Sequence, residues 1–110
     1  MMYPSSKKLL KILMLAALVL PAQTLLAQDT LEAGKKLFNE TAVPACALCH
    51  RLKHADAAGE IGPVLDELRP DADRVEKAIR NGIGQMPAFT TLSENEIKLL
   101  AKYVSEVAGK

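Results

Sequence analysis

Residues 44–50 read PACALCH, and the chemistry of this stretch governs the interpretation of the whole chain. Cys46 and Cys49 stand three positions apart, and His50 follows the second cysteine directly. Two thiols and an imidazole in this order fit a disulfide, a redox dithiol, part of a zinc site, or the covalent attachment of a c-type haem. The rest of the sequence has to discriminate among these alternatives.

The first three alternatives fit the sequence less well than haem attachment. A Cys46–Cys49 disulfide would close so short a loop that it adds little stability through chain entropy. A thioredoxin-like dithiol accompanies a βαβ pattern, and this sequence has no strand-rich run. Zinc needs four ligands, and the available ones, including His54, crowd into residues 46–54, unlike the paired spacing of zinc knuckles. Cys-x-x-Cys-His is the haem c signature, so we expect two thioether bonds and iron ligation by His50.

The N-terminal segment has the features of a secretory signal peptide. Three lysines precede an uninterrupted apolar run over residues 12–20. The run is shorter than the roughly 20 apolar residues that cross a bilayer, although an uncleaved anchor stays an alternative. Small Ala27 offers a cleavage position, so the sequence predicts a signal peptide over 1–27 and one domain over 28–110. We expect the mature protein in the periplasm, where haem c is attached, and not in the membrane.

The composition after cleavage argues against a nucleic-acid partner and for a bound cofactor. Eleven basic and thirteen acidic residues remain, a formal net charge of −2, whereas nucleic-acid binding favours a basic face. The whole sequence has no Trp, two Phe and two Tyr. A domain this small buries too little apolar surface unless something staples it, and a buried haem would supply that surface.

A second iron ligand is indicated by elimination. Of the four methionines, only Met86 lies outside the predicted signal peptide. It lies in NGIGQMPAF, residues 81–89, where glycines permit tight turns and the following proline favours an extended conformation of the methionine. We expect Met86 on a rigid loop as the distal iron ligand; the alternative is a methionine that fills a core gap. His54 lies about one turn beyond His50 and cannot reach the opposite haem face, so we expect it to be exposed.

The remaining segments after residue 27 show helical periodicity and no alternating strand pattern. Helices are predicted over residues 29–41, with Asp29 or Thr30 as the cap, over 70–82, and over 92–107, which opens with a Ser-x-x-Glu capping box. A loop with a short turn joins the first helix and the haem motif to the second helix. The predicted fold class is therefore all-α.

Taken together, these stretches resemble the class I cytochromes c, the monohaem family with His/Met ligation. The matching stretches, which cover nearly all of the predicted mature chain, are GKKLF, CALCH, GPVL, GIGQMPAF and SENEIKLLAKYV. The resemblance implies a small cytochrome c fold, with helices wrapped around one covalently attached haem. It implies that Gly34 and Phe38 pack near Tyr103, and that the Pro63 carbonyl accepts a hydrogen bond from His50. The expected cofactor site is Cys46, Cys49, His50, Pro63 and Met86, with His50 and Met86 binding the iron.

His/Met ligation leaves no open iron position, so we expect an electron carrier and not an enzyme. Redox proteins, such as an oxidase or another cytochrome, would dock at the haem edge near Ile83, Met86 and Pro87. Four nearby cations either form the rim of that docking site or are ordinary solvated charges. They are Lys53, Arg74, Lys77 and Arg80.

A narrower resemblance concerns the electron donor. PACALCH, GPVLDEL and PDADRVEKAIRNGIGQMP are similar to the cytochrome c subunit of bacterial sulfite dehydrogenases. That resemblance implies a molybdenum subunit that oxidises sulfite and passes electrons one at a time to the haem. The alternatives are a general soluble shuttle to a terminal oxidase, a gas-binding or weakly peroxidatic haem protein, and a haem-free dithiol or zinc protein.

Overall fold

The computed structural model describes residues 21–110, and the predicted signal peptide up to residue 20 lies outside the described residues. Within residues 21–110 the α-helices are α1 (Ala22–Lys36), α2 (Leu65–Leu68), α3 (Ala72–Asn81) and α4 (Glu94–Val107). The shorter elements are a π-helical turn (Leu37–Thr41), 3₁₀ turns (Cys46–Leu48 and Lys53–Ala55), and strands β1 (Arg51–Leu52) and β2 (Ala57–Ala58). The all-α prediction is confirmed, and the two-residue antiparallel ladder β1–β2 lies inside the predicted loop.

Helix α1 begins earlier than the sequence predicts. Neither Asp29 nor Thr30 acts as a cap; the residue before the first turn is Pro21, and the Thr30 hydroxyl donates to the Ala27 carbonyl inside the helix (2.9 Å). Residues 21–30 are exposed, and packing starts at Leu31. No helix in the described part of the chain has both the length and the apolar character needed to cross a membrane.

Helix α4 forms the central wall of the core, and its start agrees with the predicted capping box. The Ser93 hydroxyl accepts from the Glu96 backbone N–H (3.2 Å), and the Glu96 carboxylate accepts from the Ser93 N–H (2.7 Å). These two bonds satisfy N–H groups that have no partner inside the helix. One face of the helix is buried along its whole length by Ile97, Leu100, Ala101, Tyr103, Val104 and Val107.

Helix α3 lies against α4 and carries the loop that follows it. The Asp71 carboxylate caps its first turn by accepting from the Arg74 N–H (2.8 Å). Arg80 binds both Glu76 in its own helix (2.8 Å) and Glu94 in α4 (2.6 Å), which fixes the two helices side by side. The Glu76–Arg80 pair agrees with the i, i+4 spacing in the sequence.

The crossing of α1 and α4 depends on one glycine. Gly34 is buried, and a Cβ atom at this position would lie 2.4 Å from the Tyr103 Cβ. The Phe38 and Tyr103 rings lie nearby, with their centroids 6.3 Å apart. The Tyr103 hydroxyl lies 2.9 Å from Nδ1 of His54, which is exposed as expected but packs its ring edge-on against the tyrosine. This network joins the first helix, the last helix and the segment after the PACALCH motif.

A second contact links the residues after α4 to the segment that follows the PACALCH motif. The Asp66 carboxylate accepts hydrogen bonds from the backbone N–H groups of Gly109 (2.9 Å) and Lys53 (2.8 Å). Both bonds favour the ionised carboxylate, and they lower its pKa below the usual range. Asp66 lies on α2, so this short helix links the segment after the PACALCH motif to the residues that follow α4.

We predict that Gly34→Val destabilises the protein more than Ala33→Val does. Both changes place a β-branched residue in the same helix, but Ala33 is exposed, whereas the side chain at residue 34 would collide with Tyr103. Overpacking of this kind costs about 1–3 kcal/mol. Chemical unfolding of the holoprotein measures the difference, and equal free energies of unfolding for the two variants would contradict the tight crossing.

Candidate functional site

The PACALCH motif forms a compact turn that faces the protein interior. Residues Cys46–Leu48 make a single 3₁₀ turn, and the His50 N–H donates to the Cys46 carbonyl (2.9 Å). Cys46 and Cys49 are half-buried free thiols, so the two cysteines do not form a disulfide. The turn therefore presents both sulfurs and the imidazole from one short stretch of backbone.

Two glycines of the predicted loop, Gly59 and Gly62, pack closely against this turn. A Cβ at Gly59 would lie 2.5 Å from the Cys49 carbonyl carbon, and a Cβ at Gly62 would lie 2.6 Å from Cε1 of His50. The Gly62 N–H also donates to the Cys49 carbonyl (2.7 Å). Only a segment without side chains can approach the turn this closely. The spacing of the two glycines before Pro63 was the available signal in the sequence.

The orientation of His50 is set by its hydrogen bond to the backbone. Nδ1 of His50 lies 2.8 Å from the Pro63 carbonyl oxygen, as the resemblance implied. Because a carbonyl oxygen can only accept, Nδ1 carries the proton and Nε2 keeps its lone pair. The imidazole is thereby prepared to bind a metal through Nε2.

The loop that carries Met86, residues 82–89, is called the methionine loop here, and backbone hydrogen bonds stabilise it. Ile83 and Met86 exchange two hydrogen bonds of 3.0 Å across a two-residue turn that begins with Gly84 at φ +57°. Gly82 has φ +68°, and a Cβ on it would lie 2.7 Å from the Met86 carbonyl oxygen. The Phe89 N–H then donates to the Ile79 carbonyl of α3 (2.8 Å). Met86 is therefore held half-buried on a fixed loop, not on a helix face.

One large cavity brings the expected cofactor residues together. Its volume is about 780 Å³, and Cys46, Cys49, His50, Pro63 and Met86 all line it. Most of the other lining residues are apolar, and several belong to the core, such as Phe38, Leu65, Ile79, Phe89, Leu100 and Val104. A large apolar cavity with two thiols, one imidazole and one thioether suits a flat, mostly apolar group such as haem.

The Cys46 thiol does not have the character of a redox nucleophile. Burial raises the pKa of Cys46 to about 11, so the thiol stays protonated at neutral pH. Reactive dithiols work by the opposite effect, because a lowered pKa keeps the thiolate available. Within residues 21–110, no group of three or more His, Cys, Asp or Glu side chains comes together to hold a metal ion. These properties disfavour the dithiol and zinc alternatives.

The four cations that could form the rim of the docking site have different surroundings. Arg80 is held between Glu76 and Glu94, and Lys77 lies 3.4 Å from Asp73 in its own helix. Arg74 and Lys77 line the cavity, whereas Arg80 and Lys53 do not. The edge of the cavity also carries two exposed apolar side chains, Ile61 and Ile83, each 70% exposed.

Comparison with known proteins gives a consistent result. Residues 29–104 match the family model described as "Cytochrome C oxidase, cbb3-type, subunit III". The crystal structure of the c-type cytochrome SorU from Sinorhizobium meliloti is similar to this chain, with 55% sequence identity and a TM-score of 0.73. The similarity covers 76% of this chain and 95% of SorU. No curated protein sequence shows significant similarity to the chain.

We predict that Gly62→Ala disturbs the imidazole. The backbone at Gly62 does not need a positive φ, so the effect of the methyl group is steric: it would press on the His50 ring and on its bond to Pro63. We expect a loss of about 1–3 kcal/mol in the free energy of unfolding. The neighbouring change Ile61→Ala, at a 70% exposed side chain, is the control. Equal unfolding free energies for the two variants would contradict the close packing of Gly62 on His50.

Proposed function

The chain belongs to the c-type cytochrome family, and from this premise we propose a periplasmic electron carrier in which His50 and Met86 would bind the haem iron. Its cofactor is one covalently attached haem c. When bound, the haem supplies an iron that exchanges one electron. The single observation that carries the proposal is the cavity shared by Cys46, Cys49, His50 and Met86.

In this proposal the two cysteines anchor the cofactor. Cys46 and Cys49 would each hold the haem through one thioether bond, formed by addition of the S–H group across a vinyl group of the porphyrin. The 3₁₀ turn holds Cys46 and Cys49 half-buried at one wall of the cavity. Covalent attachment also adds the apolar surface that this aromatic-poor domain lacks, so the cofactor contributes to stability.

His50 would bind the haem iron through Nε2. The 2.8 Å bond from Nδ1 to the Pro63 carbonyl supports this role because it fixes the tautomer, the ring orientation and the basicity of the ligand. Gly62 supports it sterically, since the ring packs directly against that glycine. These contacts restrain the imidazole when the charge of the iron changes.

Met86 would supply the second protein ligand of the iron. Its thioether is a soft donor, which favours the ferrous state and raises the reduction potential. The paired bonds to Ile83 and the tight packing of Gly82 restrain the loop. A restrained loop would hold the Met86 thioether at the iron, so that oxygen and other small molecules do not bind there. This property distinguishes a carrier from a gas-binding protein.

Electron exchange with partner proteins takes place at the exposed edge of the cavity. Ile61 and Ile83 are each 70% exposed there, and Pro87 beside them is also exposed. Such a small apolar patch suits the weak, short-lived contacts of redox proteins, which bury less than about 1,200 Å² in total. The partners that we propose are redox proteins.

The donor that we propose is a molybdenum sulfite dehydrogenase subunit. The support is the resemblance of PACALCH, GPVLDEL and PDADRVEKAIRNGIGQMP to the cytochrome subunits of such enzymes. These stretches include the turn of the PACALCH motif, helix α3 and the methionine loop, and each of them contributes residues to the lining of the cavity. Sulfite oxidation releases two electrons, so two ferric carriers are reduced for each sulfite consumed. The cytochrome itself performs no sulfite chemistry.

We predict that Met86→Leu opens the distal position. Reduced Met86→Leu protein binds carbon monoxide stoichiometrically at neutral pH, and its ferric form lacks the weak red absorption band of methionine-bound haem. Gln85→Leu is the matched control, because it places leucine at the adjacent exposed position of the same turn. Optical spectra of both variants check this. A retained band in Met86→Leu, or carbon monoxide binding by the wild type, would contradict methionine ligation.

We predict that sulfite reduces the ferric cytochrome only when the molybdenum subunit is present. The test mixes purified ferric cytochrome, sulfite and a catalytic amount of a bacterial sulfite dehydrogenase molybdenum subunit, and it follows haem reduction optically. Omission of the subunit gives the background rate, and ascorbate shows that the haem is reducible. Reduction at the background rate with the subunit present would reject sulfite dehydrogenase as the donor while leaving the electron-carrier function intact.

A further inference from the structure

The charged residues that line the apolar cavity lie on helix α3 or at its N-cap, and together they form the charged wall of the cavity. The charged lining residues are Asp71, Asp73, Arg74 and Lys77. The titratable lining residues on the other elements are Cys46, Cys49 and His50, which already have proposed roles in attachment and ligation. The cations of the lining are therefore Arg74 and Lys77, and both are exposed, so they lie where the cavity meets the surface.

This charged wall is separate from the wall that holds the cysteines. The turn Cys46–Leu48 packs against the π-helical turn Leu37–Thr41 and β2, whereas α3 packs against α4. A haem has its two vinyl groups on one side of the ring and its two propionates on the opposite side. Thioether bonds at Cys46 and Cys49 therefore direct the anionic side away from the cysteine wall. An anion at the border of an apolar cavity is costly unless a cation or hydrogen-bond donors accompany it.

The two candidate cations differ in what they already bind. Lys77 lies 3.4 Å from Asp73, an ion pair within the helix. The Asp71 carboxylate is engaged by the backbone N–H of Arg74 (2.8 Å). The Arg74 guanidinium makes no ion pair with any residue in the range 21–110. A guanidinium presents a planar set of donors that matches a carboxylate in a bidentate way, which an ammonium cannot do.

We infer that Arg74 is the counter-ion of a haem propionate. Arg74 neutralises the propionate at the border of the cavity and keeps it ionised at neutral pH. In doing so it also raises the reduction potential, since a nearby positive charge disfavours the extra charge of the ferric haem. The inference rests on the covalent haem of the proposed function, but it does not depend on the sulfite donor or on Met86.

The test compares the reduction potential of the holoprotein and four variants between pH 5 and pH 9. The variants are Arg74→Gln, Arg74→Lys, Lys77→Gln and Lys98→Gln, the last being an exposed cation on α4 outside the cavity lining. The c-type spectrum of each variant is recorded first, so that haem loss is distinguished from a change in potential. NMR titration of the haem methyl signals follows the propionate directly.

We expect Arg74→Gln to move the pH-dependent step of the potential upward by about one pH unit, a tenfold increase in proton affinity, because the propionate loses an opposite charge. At pH 7 its ferric-to-ferrous equilibrium shifts towards the ferric form. Arg74→Lys retains most of the wild-type behaviour, Lys77→Gln has a smaller effect than Arg74→Gln, and Lys98→Gln has none. A purely structural role for Arg74 would leave the pH profile unchanged.

An Arg74→Gln protein with a normal c-type spectrum and the same pH profile as Lys98→Gln would overturn the inference and leave the electron-carrier function standing. A larger shift in Lys77→Gln than in Arg74→Gln would also overturn it, because the counter-ion would then be the lysine. A wild-type protein without covalent haem would overturn both the inference and the proposed function.

Discussion

The bond from Nδ1 of His50 to the Pro63 carbonyl is the contact on which the rest of the site depends. It is 2.8 Å long, and it joins the turn of the PACALCH motif to the segment that begins at Gly59. Without it the imidazole could adopt either tautomer and rotate. The close packing of Gly59 and Gly62 against the turn makes the bond possible, because a side chain at either position would hold the two segments apart. Backbone packing at two glycines thus determines the direction of the His50 imidazole.

The cavity wall that Met86 lines uses the same close backbone packing. Gly82 approaches the backbone of residues 86–88 so closely that a Cβ atom would clash, and paired bonds between Ile83 and Met86 close the turn. In both walls a glycine lets one chain segment support the segment that carries the proposed ligand. The cavity between them is large and apolar, while the domain itself has few aromatic residues. The chain therefore shapes a cavity that suits the haem of this cytochrome family.

The sequence predicts helices α3 and α4 well, because their signals are local, and the candidate ligands that it indicates line one cavity. Periodicity and a capping box predicted a helix over 92–107, and α4 begins at Glu94. The segment 70–82 likewise contains α3, which ends at Asn81 before Gly82. The start of α1 was predicted seven residues too late, since Thr30 bonds within the helix and does not cap it.

Other features depend on residues far apart in the chain, and no local sequence pattern predicts them. Asp66 binds the backbone of Lys53 and Gly109, so its role appears only when the two segments are folded together. The contact between His54 and Tyr103 spans 49 positions. The five-residue π-helical turn after α1 also has no simple sequence signal. The glycines at 59 and 62 were visible as loop residues, but their packing on the motif required the three-dimensional structure.

The central claim is that one nitrogen ligand from His50 and one sulfur ligand from Met86 complete the coordination of the iron. X-ray absorption spectroscopy at the iron edge of the holoprotein tests it most directly, in both oxidation states. The account predicts a single sulfur neighbour together with imidazole and porphyrin nitrogens, and little change in these distances on reduction. An iron with only nitrogen or oxygen neighbours, or a sulfur neighbour that disappears in one oxidation state, would contradict the account.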